Sequence, residues 1–274
     1  MKTVQEIMNS IEYNQGECPR KEIEELAIRE DESRNFLIEY LKNFKSNYEN
    51  YIENSHYWGH IYATYLLAQF KEKILFNIYL DLIKLPEKIS FNLYGDTLVE
   101  DSAKILASVY DGQLEDIKKA IEDIKINSMA RSECAHLLVI LTLNNKLNRT
   151  EIVEYFKLLL EKKLKDRNIH VITAVIKGLM DLYPDNSLEV IKMCFANEEV
   201  DEFLVSLKDV DDTLKLDKEE VLDRSKGKKE NSMITNAAKI ISSWASFKDD
   251  EPLNMEEILK ICNQSIFKEN FKID

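Results

Sequence analysis

Residues 63–67 read Ala63-Thr64-Tyr65-Leu66-Leu67, and the same alternation of small and large apolar residues returns three times along the chain. Ala103, Ala135 and Ala174 take the place of Ala63. Two positions on stand Ile105, Leu137 and Ile176; four positions on stand Ala107, Val139 and Gly178. The intervals between anchors are 40, 32 and 39 residues, close to the ~33–47 residues of two-helix repeats of the HEAT and armadillo kind. A small residue at a fixed point lets one helix backbone approach its neighbour, and the large residues fill the space between repeats. Each anchor segment leads through a polar break into a second amphipathic stretch, at 74–83, 114–124, 152–160 and 188–195. Lys177 interrupts the apolar pattern of the last unit, which makes that repeat degenerate.

Outward from these repeats, helical periodicity continues almost everywhere. Phe36, Leu37, Tyr40, Leu41, Phe44, Tyr48, Tyr51 and Ile52 keep an i, i+3/i+4 stripe, whose aromatics are expected as core under a solenoid cap rather than as a peptide-binding surface. Pro19, Pro86, Pro184 and Pro252 all fall between periodic segments, as they must where a proline inside a helix costs ~3 kcal/mol. Thr97 with Glu100 has capping-box spacing, and Asn148 with Glu151, Asn186 with Glu189, Asp217 with Glu220 and Asn254 with Glu257 repeat it. The expectation is an all-α fold, a HEAT/armadillo-like α-solenoid of antiparallel helix pairs with helical caps. Residues 1–55 form the N-terminal cap, 56–200 the repeats, and 201–274 a degenerate repeat, a linker and a C-terminal helical cap, in one continuous domain. Within that last part Asn231 to Phe247 and Leu253 to Phe271 read as helices, and the basic island Arg224 to Lys229 as an exposed linker.

Composition restricts the function. There are 37 Lys and Arg against 50 Asp and Glu, a net charge of −13, which disfavours binding to a nucleic-acid backbone or to an anionic membrane surface. A hydrophobic content of 45% is enough for a packed core and argues against intrinsic disorder. Met1-Lys2-Thr3-Val4-Gln5-Glu6 lacks the apolar stretch of a secretory signal. The most apolar run, Leu137 to Leu143, is far shorter than the ~20 residues that span a bilayer. Cys18, Cys134, Cys194 and Cys262 lie far apart, three of them in or beside apolar helical patterns. A cytoplasmic protein with reduced, buried thiols is expected, with no cofactor.

Two stretches carry a family resemblance: His60-Ile61-Tyr62-Ala63-Thr64-Tyr65-Leu66-Leu67-Ala68-Gln69-Phe70, and Gly95 to Asp101 running on from Ile105 to Gly112. Thr150 to Phe156 and Asp181-Leu182-Tyr183-Pro184 extend it. With these segments the chain resembles an uncharacterised bacterial family of HEAT-like helical proteins, a domain of unknown function, over residues 4–225. The resemblance implies a helical-repeat fold and supplies no reaction. Many members of that family end in a short Cys-rich zinc motif of the SEC-C type; this chain has no adjacent or C-x-C cysteines and departs from that pattern.

Few residues point to chemistry. His56 and His60, four apart with Glu53 one turn earlier, are the one weak candidate for a metal pair. Glu100-Asp101, Glu115-Asp116 and Glu122-Asp123 supply adjacent carboxylates, which on amphipathic helices are expected on solvated faces and at dipole-favoured first turns. Asp209-Val210-Asp211-Asp212-Thr213-Leu214 has Leu where a calcium loop turns on Gly, and Lys226-Gly227-Lys228-Lys229 lacks the upstream glycine of a phosphate loop. Lys162, Lys163, Lys165 and Arg167 are expected at a helix C-terminus. Two functions remain. A non-catalytic protein- or peptide-binding scaffold would use a concave face made acidic by Asp81, Asp116, Glu122, Glu154, Glu161 and Glu189 on the second helices, and would take a basic partner. A helical-repeat enzyme, acting on nucleic-acid bases or through a metal, would need its cations gathered on one face. The first is the expectation, with Asp96, Glu100, Asp101 and Asp111 as protein-binding residues and no catalytic ones.

Overall fold

A computed structural model describes residues 2–247, and within them the chain is all-α. The one β contact among the described residues is an isolated antiparallel bridge between Tyr13 and Tyr57. Three N-terminal helices, α1 (Val4–Ile11), α2 (Arg20–Ile28) and α3 (Glu30–Ser46), precede a first pair, α4 (Gly59–Gln69) and α5 (Ile74–Ile83). Two short helices follow, α6 (Glu87–Tyr94) and α7 (Thr97–Glu100). Three more pairs come next: α8 (Ser102–Ser108) with α9 (Leu114–Glu122), α10 (Ser128–Leu143) with α11 (Arg149–Leu158), and α12 (Ile169–Asp181) with α13 (Leu188–Ala196). Helices α14 (Leu207–Leu214), α15 (Lys218–Gly227) and α16 (Ala237–Ile241) complete the described chain.

The four anchor alanines sit on α4, α8, α10 and α12, and these helices pack side by side in chain order. Close approach is visible where a Cβ added to Gly178 of α12 would lie 3.0 Å from Val139 of α10 and 2.7 Å from the Phe156 ring of α11. Tyr62, Tyr65, Tyr79, Phe76 and Phe156 fill the space between pairs and are fully buried. At the N-terminal end, the Glu12 carbonyl accepts the N–H groups of Trp58 (2.7 Å) and Gly59 (3.0 Å), tying the end of α1 to the start of α4. The aromatic stripe is divided there: Phe44 is buried on α3, while Tyr48 and Tyr51 lie in a separate 3₁₀ turn and are partly buried against the same core.

Helix ends explain how a chain with six glycines stops its helices so often. Helix α4 closes with Lys71 in the left-handed region at φ 55°, and Glu72 N–H donates to the Leu67 carbonyl at 3.0 Å. Helix α10 repeats this with Asn145 and a 2.8 Å bond from Lys146 to Leu141, and α13 with Glu198 and a 3.0 Å bond from Glu199 to Cys194. These are Schellman closures made without glycine. At helix starts, Asn148 caps α11 through Glu151 N–H (3.2 Å), as the sequence predicts. Asp217 caps α15, but through Glu219 N–H rather than Glu220. The Thr97 and Asn186 boxes do not form: Thr97 is buried inside α7 behind Asp96, and Asn186 lies in a 3₁₀ turn ahead of α13. The Asn254–Glu257 pair, Pro252, Cys262 and the helix expected at Leu253 to Phe271 lie outside the described residues.

Beyond α13 the expectation needs two corrections. The basic island is not a linker: Arg224 to Gly227 is the last turn of α15, where Arg224 and Lys226 complement the helix dipole. Asn231 to Phe247 is not one helix either. Ser232 to Asn236 is non-helical with both ends extended, α16 occupies only Ala237–Ile241, and Ala245 to Phe247 is a 3₁₀ turn. The extended segment is held by the inner helices. Asn231 bonds His136 of α10 (2.7 Å), Ile234 N–H donates to Ser108 of α8 (2.8 Å), and Ala237 N–H donates to Gln69 at the end of α4 (2.7 Å). The C-terminal part of the described chain is thus a strap that returns across α10, α8 and α4 to pack α16 on α2. No helix among the described residues is long and apolar enough to cross a membrane.

Candidate functional site

A groove of about 1340 Å³ opens on the inner helices. Its floor is α4, α8, α10 and α12, one wall is α6 and α7, and the other is the strap. Helix α6 is fixed over α4 by His60 Nε2, 2.7 Å from the Leu93 carbonyl. The strap ends in the groove at Trp244, whose ring packs edge-on against Trp58 and Tyr65 at 5.8 and 5.5 Å.

Three of the four predicted binding residues share this groove. Asp96 and Glu100 line the α7 wall, and both are exposed without an ion pair among the described residues. Asp101 lies below them on the floor, 5% exposed; it accepts the Tyr65 hydroxyl and pairs with Lys104 one turn on. Asp111 is elsewhere. Its carboxylate closes the turn before α9 by accepting Gln113 N–H at 3.1 Å, and Asn77 approaches it at 3.5 Å.

The histidine pair separates for a structural reason. Helix α4 begins only at Gly59, so His56 precedes it in a turn and shares no helix face with His60. His60 is buried among aromatic rings, stacked on Phe44 at 4.2 Å and parallel to Tyr57 at 5.6 Å. Burial pushes its imidazole down to about 4, so it is neutral near pH 7 and donates Nε2–H to Leu93. No group of three or more His, Cys, Asp or Glu is placed to hold a metal ion among the described residues.

The acids of the second helices do not line the groove, because those helices face away from it. Asp81 pairs with Lys45 (2.6 Å), Asp116 with Lys119 (3.1 Å), Glu122 with Lys163 (2.7 Å) and Glu189 with Lys192 (3.4 Å), while Glu154 and Glu161 are exposed. Nor is the Lys162–Arg167 cluster a free basic patch. Lys163 is taken by Glu122, and Arg167 by Glu199. The groove itself is lined by eight carboxylates and four lysines, Asp209 of α14 among them.

Sequence reasoning missed Lys104 and Glu133. Glu133 sits on α10, the helix most enclosed by others, and accepts Ala103 N–H on Oε2 at 2.9 Å. Burial first, then the charge of Asp101, raises its carboxyl to about 8 against the pull of the Ala103 N–H, Lys104 and Lys177. A Glu two positions before an anchor alanine, where the first and last repeats have Ile61 and Ile172, was the available signal.

With this geometry in place, comparison with known proteins is direct. Residues 2–248 match the family model described as "Protein of unknown function (DUF1186)". The chain belongs to this family. A relative from Chlamydia muridarum (strain MoPn / Nigg), named "Uncharacterized protein", is 29% identical over 208 residues, which are 76% of this chain and 83% of the relative. A second, of the same name, from Chlamydia trachomatis serovar D is 28% identical over 208 residues, covering 76% and 82%. No solved structure matches the chain significantly. Family membership therefore brings no reaction, and the groove has to be interpreted from its own residues.

Proposed function

We propose that this protein is a non-catalytic scaffold that binds an extended peptide segment of a basic partner protein in the groove between α7 and the strap. The four helix pairs are read as a HEAT-like solenoid, one continuous domain whose N-terminal cap is residues 1–55. The observation that carries the reading is the strap itself. Ser232 to Asn236 lies on the inner helices as non-helical polypeptide with both ends extended, its Ile234 N–H caught by Ser108, its Ile234 side chain buried, and the following Ala237 N–H taken by Gln69. An inner surface that holds one extended segment in this way has the side-chain donors, acceptors and apolar sockets to hold another beside it.

Charge supports the sign of the partner. Leaving out Glu133, whose carboxyl is raised by burial, seven carboxylates against four lysines line the groove, and Asp96 and Glu100 stand unpaired on its rim. That balance is unfavourable to a phosphodiester backbone and favourable to lysine and arginine side chains. The test is fluorescence anisotropy with a labelled Arg/Lys-rich peptide at low and high salt, on the wild type and on the D96K/E100K double variant. Binding that weakens with salt and is lost in the variant is expected. Salt-independent binding, or binding unchanged by the charge reversal, would rule the reading out.

A further inference from the structure

The floor of the groove holds polar groups that neither the fold nor the peptide reading uses. Glu133 is 8% exposed and only its Oε2 is engaged; Oε1 makes no hydrogen bond among the described residues, although the side chain lines the groove. Beside it Ser132 also lines the groove, and its Oγ is buried without a partner. Capping Ala103 needs a single acceptor. The second Glu133 oxygen is therefore free and open to the groove, and a buried hydroxyl left unmatched beside it is costly.

The charges around these two groups select the ligand. Asp101 and Lys104 neutralise each other as a buried pair. Lys177, on α12, is exposed, lines the groove and forms no ion pair among the described residues. Its helical neighbour Asp181, one turn on, is already held by Lys228 at 2.5 Å and by Ser225 and Asn231. Near neutral pH the Glu133 carboxyl keeps its proton, so the floor carries one unbalanced positive charge from Lys177 and two hydroxyl donors. On the floor, away from Asp96 and Glu100 on the rim, a cationic ligand would meet Lys177 and Lys104 without a free anion to pair with. An anionic one balances the set.

We propose that the floor of the groove is a carboxylate-binding site, in which a ligand carboxylate pairs with the Lys177 ammonium and accepts hydrogen bonds from the Glu133 carboxyl O–H and the Ser132 hydroxyl. The acid-to-carboxylate bond is of the short, charge-assisted kind. The site stands independently of the peptide reading, since the carboxylate can be the C-terminus of a peptide or a free small acid. The groups facing Glu133 are Asp101 and Lys104 from the α8 end, Tyr79 from α5 and Lys177 from α12. Of these Lys177 is the exposed one, so its removal leaves the fold intact.

The experiment is an NMR titration of the full chain, ¹³C-labelled at glutamate carboxyls, with sodium acetate and with ethylammonium chloride as the cationic control. Acetate is expected to shift the Glu133 resonance saturably at pH 7 and to lose its effect as pH rises past the Glu133 titration. K177A should weaken acetate about tenfold or more. E133Q keeps an acceptor for Ala103 and a donor for the ligand, so followed through the backbone amides it should still bind, now without the pH dependence. A tetrapeptide with a free C-terminus and its C-terminal amide then separate the sources. Binding of the acid form alone assigns a peptide terminus, and binding of acetate with neither peptide assigns a free small acid. No shift at Glu133 with acetate, an equal shift in K177A, or a response to ethylammonium instead would overturn the site.

Discussion

His136 Nε2 donates to Asn231 Oδ1 at 2.7 Å, although 95 residues of sequence separate the two. The Asn231 amide then donates to Asp181 Oδ2 (3.2 Å) and to the Ser225 carbonyl (2.8 Å), so one buried side chain joins α10, α12 and α15 at the point where the strap begins. Everything after it, up to the 168-residue link between Ala237 and Gln69, depends on the strap leaving α15 in the right direction.

Asn231→Ala should therefore detach the strap before it unfolds the core. It leaves His136 without an acceptor and frees one Asp181 oxygen, a loss of about 1–3 kcal/mol for buried groups. Hydrogen exchange is the readout. The Ile234 and Ala237 amides should lose protection while the α10 amides keep theirs, and equal loss in both would show that the strap is not a separate unit.

Gly178→Ala tests the packing of α12. The exchange gains about 1 kcal/mol of helix propensity, but the new methyl meets Phe156 at 2.7 Å and Val139 at 3.0 Å, both fully buried and unable to yield. Overpacking of that kind costs about 1–3 kcal/mol, so the urea midpoint should fall. Gly227→Ala is the control: a Cβ there meets nothing within 4 Å, and the midpoint should hold or rise.

The helix pairs were legible because their i, i+3/i+4 stripes and anchor alanines are local, and the structure places all four anchors on inner helices. The stops were less so, since Lys71, Asn145 and Glu198 take the left-handed position that a glycine would have advertised. The strap was illegible for a physical reason. Ser232 to Asn236 has no periodicity of its own, and its partners Ser108 and Gln69 lie more than a hundred residues upstream. Asp96, Glu100 and Asp101 drew attention because they lie in the segment that carries the family resemblance, and the structure places all three at the groove. Lys104 and Glu133 stood out only as charges within inner-helix segments, because a charged residue in a buried helix shows its role only once the neighbouring helix supplies its partner.

Asp166→Ala should be the most damaging single change outside the groove. Arg131 is 1% exposed, and its guanidinium is held by both Asp166 oxygens (2.5 and 3.1 Å) and by the Ile121 carbonyl (2.9 Å). Removing the carboxylate strands a buried cation, a loss of about 3–5 kcal/mol, whereas Arg131→Met with Asp166→Ala should cost less than Asp166→Ala alone. The hydrogen bond from Arg131 holds the Asp166 carboxyl below its ordinary 3.8. Its contribution is present above that value and lost as pH falls below it, a loss the double variant should not show.

Glu133 acts in the opposite direction and in a different window. Its carboxyl titrates near 4.5 in the unfolded chain and at about 8 in the fold. Between those values the folded state keeps a proton that the unfolded state has released. Its stabilising effect is thus full below pH 4.5, declines as pH rises, and is gone above 8. His60 and His136, both lowered by burial, have the reverse dependence, which fades only about one pH unit above 6.5. The buried thiols, with Cys134 raised to about 12, matter only once unfolded cysteines ionise, near 9. These groups are common to the wild type and to Glu133→Gln, so the difference between the two proteins isolates Glu133, with a slope of up to about 1.4 kcal/mol per pH unit. Urea denaturation from pH 6.5 to 8 should show wild-type stability falling with pH relative to Glu133→Gln, in which the amide oxygen still accepts Ala103 N–H and carries no titrating proton. A difference that does not change with pH would mean that Glu133 is ionised in the fold, and the donor on which the carboxylate site depends would be absent.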